Sequence, residues 1–144
     1  MNNIVVKKKN KTAKKQQKQS RNVKNVMVEF FLNMLNTVKL YHWKTIVYAK
    51  HEATDELYKE LNEYIDTFIE TMMGKDEKRM LNGNIKLDIV ITSDDEEYKN
   101  KIYSYRDFLQ NMEKKVNIHD TDLLNIRDEI LGKLNQFLYL LTFI

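Results

Sequence analysis

The chain has no cysteine and no proline, and only three of its 144 residues are glycine. Without cysteine there are no disulfides, no thiolate metal sites and no thiol nucleophile, which is compatible with an intracellular setting. Without proline, and with so little glycine, few positions can break a helix, so long helices are expected rather than strands joined by tight turns. Long apolar runs are missing too. No stretch reaches the roughly 18 apolar residues of a membrane span, and the apolar end from Phe137 to Ile144 reads as core helix. The first residues lack the apolar segment of a signal peptide. There is no phosphate-binding loop, no glycine-rich nucleotide motif and no Ser-His-Asp order.

What is present is divided by charge. The net charge of +3 is the sum of +8 on residues 1–22, which hold no acid, and −5 on residues 23–144. The basic residues are Lys7, Lys8, Lys9, Lys11, Lys14, Lys15, Lys18 and Arg21. Their stretch has no apolar periodicity and is expected to be a disordered arm ahead of a single domain. Ammonium and guanidinium groups neutralise phosphates and release counterions, so such an arm binds nucleic acid, DNA or RNA, without reading its sequence. A solubilising tail or a targeting signal has the same composition.

The domain reads as all-α. Val23, Val26, Met27, Phe30, Phe31, Met34, Val38 and Tyr41 recur at helical spacing and predict a first helix over about 23–41. A second is expected over 51–73, with Gly74 as its stop. Leu57, Leu61, Tyr64, Ile65, Phe68 and Met72 form its inward stripe, while Glu52, Glu56, Glu60 and Glu63 make an acidic wedge. Asn82-Gly83 marks a turn, and Ile85, Leu87, Ile89 and Ile91 then alternate as in a strand, suggesting an extended segment packed across the bundle or against a neighbour. Ser93-x-x-Glu96 resembles a capping box opening a third helix, whose seam is Tyr98, Ile102, Tyr105, Leu109, Met112 and Val116. Asp120 is placed to cap a fourth, with Leu123, Ile126, Ile130, Leu134, Phe137 and Leu141 on one face. His119, Asp120 and Asp122 suit either a capping turn or a secondary metal or pore site, and Gly132 suggests close approach of another backbone or simple tolerance.

The chemistry concentrates around the second helix. At about 100° per residue, His51 and Asp55 share a face with Asp66 and Glu70, one turn apart within each pair. The eleven residues from Asp55 to Asp66 separate the pairs by roughly 16 Å along the axis, too far for one ion. A two-fold axis near Glu60 and Leu61 brings the pairs together. Laid antiparallel on a copy of itself, the helix sets His51 and Asp55 of one chain against Asp66 and Glu70 of the other. His42, nine residues before His51, can fold back as a further ligand. Imidazole and carboxylates with open positions suit iron(II), and also zinc. A solvated helix face with chance acids has the same residues. The Glu-x-x-His pairs of larger di-iron bundles are absent, which favours a site between subunits.

His42-Trp43, then His51-x3-Asp55, then Asp66-x3-Glu70 resembles the ferroxidase signature of the Dps miniferritins, DNA-binding proteins from starved cells within the ferritin-like superfamily. The likeness covers residues 26–74 well and the rest by helix pattern only; the gap from His42 to His51 is shorter than in the family. The resemblance implies an antiparallel, ferritin-like four-helix bundle. It also implies ligands contributed across a dimer interface, and a homo-oligomeric shell, typically a dodecamer. Iron(II) would be oxidised there by peroxide or oxygen and stored as ferric product. His51, Asp55, Asp66 and Glu70 would act at the di-iron site, with His42 as an added ligand, Glu70 bridging to the second iron, and zinc as a substitute metal. Trp43 would shield the site from water, and the acidic wedge would nucleate mineral. A cytoplasmic or nucleoid-associated protein follows. Short ferritin-like proteins of phages and large DNA viruses suggest an alternative: a non-catalytic packing protein of the nucleoid or virion interior. A plain helical partner-binding module is a third reading.

Overall fold

In the computed structural model the chain is all-helical. It comprises α1 (Asn2–Lys44), α2 (Tyr48–Gly74), α3 (Asp95–Gln110) and α4 (Thr121–Leu140), with short 3-10 turns at Met112–Lys114 and Leu141–Phe143. The structure describes residues 2–79, 83–89, 91–92 and 94–143, with side chains from residue 23 onward. The four helices enclose one core. Met27, Phe31, Met34 and Val38 of α1 meet Leu57, Leu61, Ile65 and Phe68 of α2, Tyr98, Ile102 and Leu109 of α3, and Ile130, Leu134 and Phe137 of α4. These are the periodic positions of the sequence, and each large apolar side chain so buried stabilises the fold by about 1.5–3 kcal/mol. Aromatic rings lock the helices laterally, with Phe31 and Phe68 5.0 Å apart and Phe30 stacked on Phe108 at 3.8 Å.

Ion pairs mark the two ends of the bundle. Lys24 of α1 binds Asp76 just past α2 at 2.6 Å, and Lys75 binds Asp120 and Asp122 at the start of α4 at 3.1 and 2.9 Å. At the other end Lys50 of α2 and Tyr41 of α1 both bind Asp95, the first residue of α3. Between Asp76 and Asp95 the chain therefore passes from beside Lys24 of α1 to beside Tyr41. On the way, the backbone N–H groups of Lys86 and Asp88 donate to the side chains of Glu29 and Asn33, at 3.4 and 3.0 Å.

Several sequence expectations need correction. Among the described residues there is no β-strand; the 84–89 stretch is non-helical but pairs with α1 side chains, not with another strand. The stretch expected to be a disordered arm belongs to α1. Its lysines, glutamines and alanine are good helix formers and nothing there stops a helix; lacking an apolar stripe removes a packing face, not the backbone preference. The N-cap of α3 is Asp94, which accepts from the N–H groups of Glu96 and Glu97, at 2.8 and 3.4 Å. Ser93 and Asn82 lie outside the described residues. Asp120 does sit at the N-cap of α4 but makes no side-chain cap bond, its carboxylate being engaged by Lys75. The chain end is less buried than expected: Tyr139, Leu140 and Phe143 are exposed. No backbone crowds Gly132; a Cβ there would meet nothing within 4 Å.

Candidate metal centre

The centre is built by the tight connection between α1 and α2. Helix α2 begins at Tyr48, earlier than expected, leaving only residues 45–47 between the helices. That short link folds the last turn of α1 onto the first turn of α2. His42 and His51 then stack, ring centroids 3.9 Å apart and 23° from parallel. Each Nδ1 reaches the other residue's backbone carbonyl at 3.0 Å. A carbonyl only accepts, so each Nδ1 carries a hydrogen, which in the neutral tautomer leaves the lone pair on Nε2, the form a metal ligand needs. Thr54, fully buried, braces the pair from below. Its hydroxyl donates to the carbonyls of Lys50 and His51, at 2.7 and 3.0 Å, and lies 3.4 Å from His42 Nδ1.

Asp55 completes the cluster. Its Oδ1 stands 3.8 Å from His42 Nε2, while Oδ2 binds Lys59 at 2.8 Å. The Lys59 ammonium holds the carboxyl below the usual carboxylate range, with smaller pulls from His42 and Lys39. One imidazole nitrogen and one carboxylate thus face each other at one end of α2, with the second imidazole stacked alongside; these residue types suit a divalent cation.

Asp66 and Glu70 are exposed farther along α2. The roughly 16 Å between Asp55 and Asp66 on a continuous helix keeps them out of this cluster. Among the described residues of one chain, no group of three or more His, Cys, Asp or Glu is placed to hold a metal ion by itself. Asp66 instead lines a groove of about 220 Å³ between α1 and α2, whose walls are chiefly apolar: Val28, Leu32, Leu35, Ile65 and Ile69.

Other expected participants fall elsewhere. Trp43 does not cover the centre within one chain; it is 67% exposed, with the Lys39 ammonium 5.7 Å from its ring and 4.6 Å from that of Tyr58. Following His42 by one residue, it is turned about 100° away from the histidine pair. The Lys75 ammonium lies between the carboxylates of Asp120 and Asp122, the place the sequence offers for a second metal. Of the acidic wedge, Glu52, Glu56 and Glu63 are exposed and Glu60 pairs with Lys133 of α4 at 2.6 Å. The side chains of Lys7, Lys8, Lys9, Lys11, Lys14, Lys15, Lys18 and Arg21 lie outside the described residues.

Thr54 and Lys59 are additions that sequence reading missed. Lys59 was accessible through its four-residue spacing from Asp55. The Tyr41–Asp95–Lys50 network joins residues up to 54 positions apart and leaves no local signal.

Residues 42–141 match DUF5856, a family of unknown function, and the chain belongs to that family. No curated protein and no solved structure matches it.

Proposed function

We propose that the protein is a Dps-like miniferritin, in which two copies of the chain complete a pair of iron-oxidising sites. The observation that carries this reading is the His42–His51–Asp55 cluster: two imidazoles oriented by reciprocal Nδ1 bonds, beside one carboxylate, which within one chain are not placed to hold a metal. Asp66 on the same helix, beside an apolar groove, is what a second copy would bring. The chain path supports the reading. α1 and α2 pair in opposite order, residues 24 and 31 meeting 76 and 68. α3 and α4 do likewise, Leu109 meeting Arg127 and Tyr98 meeting Phe137. One long crossover joins the two hairpins, the connection of ferritin-like antiparallel bundles.

Iron(II) is the substrate here. The redox chemistry belongs to iron and to peroxide or oxygen. The chain's part is to hold two ions close in a partly dry site. His42, His51 and Asp55 bind from one subunit, Asp66 and Glu70 from its partner, and a homo-oligomeric shell retains the ferric product. Zinc suits the same donors. The test is the growth of ferric absorbance after mixing with iron(II) and peroxide. Wild type outpaces buffer, and His51→Ala and Asp55→Ala each slow it at least tenfold with helicity intact. Unchanged rates in both variants remove the ferroxidase reading.

The charge run at Lys7–Arg21 favours a second activity, contact with DNA without sequence preference. A packing protein of the nucleoid or virion interior that lacks iron chemistry keeps this activity alone, and the iron assay separates the two.

A further inference from the structure

The connection between α2 and α3 holds a strand sequence with no strand partner among the described residues. From residue 84 to 89 the chain is non-helical. Its Lys86 and Asp88 N–H groups, two residues apart as on one edge of an extended chain, donate to Glu29 and Asn33. In an extended chain the residues between present their N–H and C=O groups to the opposite edge. Those are Ile85, Leu87 and Ile89, and among the described residues their backbones make no hydrogen bond. Lys86, Leu87 and Asp88 are exposed, Leu87 by 42%. This is an aliphatic edge, the kind that templates pairing with another strand.

The sequence says which strand fits. Antiparallel pairing of the segment with its own copy, about a two-fold axis at Leu87, sets Lys86 opposite the second copy's Asp88 and Ile85 opposite its Ile89. Both charge pairs are then attractive and both aliphatic pairs match. The backbone parity agrees. Ile85, Leu87 and Ile89, whose groups face outward, fall at hydrogen-bonded positions. Lys86 and Asp88 fall at the intervening positions, where Cα atoms are about 4.5 Å apart and side chains closest.

We propose that residues 85–89 form a two-stranded antiparallel ribbon with the same residues of a second copy, and that this ribbon is a subunit interface. It does not depend on the metal reading, since no ligand takes part.

The natural chain has no cysteine, so one introduced thiol reports cleanly. In full-length protein under mild oxidation, Leu87→Cys forms a disulfide-linked dimer, because across the axis the Cα atoms come about 5.5 Å apart, within disulfide reach. Asp88→Cys does not, because its two copies stand on a diagonal about 7–8 Å apart. Charge reversal gives a second reading on the unmodified backbone. Lys86→Asp and Asp88→Lys each set like charges opposite one another and raise the dimer dissociation constant roughly tenfold. An equimolar mixture of the two, or the double swap in one chain, restores wild-type association. Failure of Leu87→Cys to cross-link, or reversals whose effects neither appear nor cancel, overturns the proposal. Loss of iron oxidation with the ribbon intact leaves it standing.

Discussion

His42 and His51 hold each other by the backbone: each ring nitrogen Nδ1 donates to the other residue's carbonyl at 3.0 Å. This reciprocal clasp joins the end of α1 to the start of α2 and orients both rings. Structural and ligand roles should therefore separate by substitution. His42→Ala removes one of the two bonds and is expected to lower stability by about 1–2 kcal/mol; the His51 carbonyl keeps the Thr54 hydroxyl as a donor. His42→Gln offers an amide donor but no imidazole nitrogen. It should regain much of the melting temperature without regaining affinity for cobalt(II) or iron(II), measured by calorimetry. Equal metal affinity in wild type and His42→Gln would make the ring a structural clasp only.

How much of this was legible in the sequence depends on the range of the interaction. The inward stripe of α2 came through because helical period and burial coincide at Leu57, Leu61, Ile65 and Phe68, all buried. His51 and Asp55 were visible through one-turn spacing. The placement of His42 hung on where α2 begins, and no cap marks that point: Val47 makes no side-chain cap bond. The sequence therefore suggests only that His42 folds back toward His51 as a ligand; the reciprocal bonds appear in three dimensions. The 84–89 stretch was strand-like in pattern, but a strand needs a partner, and among the described residues of one chain its backbone N–H groups find the Glu29 and Asn33 side chains instead. The helix before Val23 was missed for the opposite reason, its backbone preference having no apolar signature.

The ion pairs at the bundle ends predict acid sensitivity. Asp76 is held below its ordinary value of 3.8 by the Lys24 hydrogen bond, and Asp95 below the same value by Lys50 and then Tyr41. A carboxyl depressed in the folded state stabilises it above the unfolded value and loses that contribution as pH falls through the folded value. Thermal stability should be level from neutrality to about pH 5 and fall below about pH 4. Lys50→Met should flatten this acid limb, since the Asp95 carboxyl then loses its main partner. Melting curves across pH 2–7 provide the check, and an acid limb as steep in the variant as in wild type would exclude Asp95 as a contributor.

Gly132 is an exposed glycine inside α4 with open space at its Cβ position. Glycine in a helix interior costs about 1 kcal/mol relative to alanine, so Gly132→Ala should raise stability by that amount. Denaturant titration should show a higher midpoint at unchanged slope. A loss of stability would mean that another subunit's backbone comes close there.

The basic N-terminal stretch makes a quantitative prediction about DNA. Deleting residues 1–22 removes eight positive charges and leaves a body of −5, so binding to duplex DNA should collapse while iron oxidation persists. For the intact chain, log affinity should fall against log salt with a slope of about −0.9 per phosphate neutralised. Salt-insensitive binding, or binding retained after the deletion, would place the contact on another surface.

Sharing of the site between subunits can be tested with two inactive proteins. If each site takes His51 and Asp55 from one chain and Asp66 and Glu70 from the other, His51→Ala and Asp66→Ala should each be nearly inactive alone. In a mixed dimer, one site carries both lesions. The other draws His51 from the Asp66→Ala chain and Asp66 from the His51→Ala chain, and is intact. Random pairing makes about half the dimers mixed, each with half its sites whole, so a co-refolded mixture should recover about a quarter of wild-type activity. Native mass spectrometry confirms that subunits have exchanged. If mixed dimers form and no activity returns, the site lies within one chain, and the eleven residues between Asp55 and Asp66 do not register a two-fold axis.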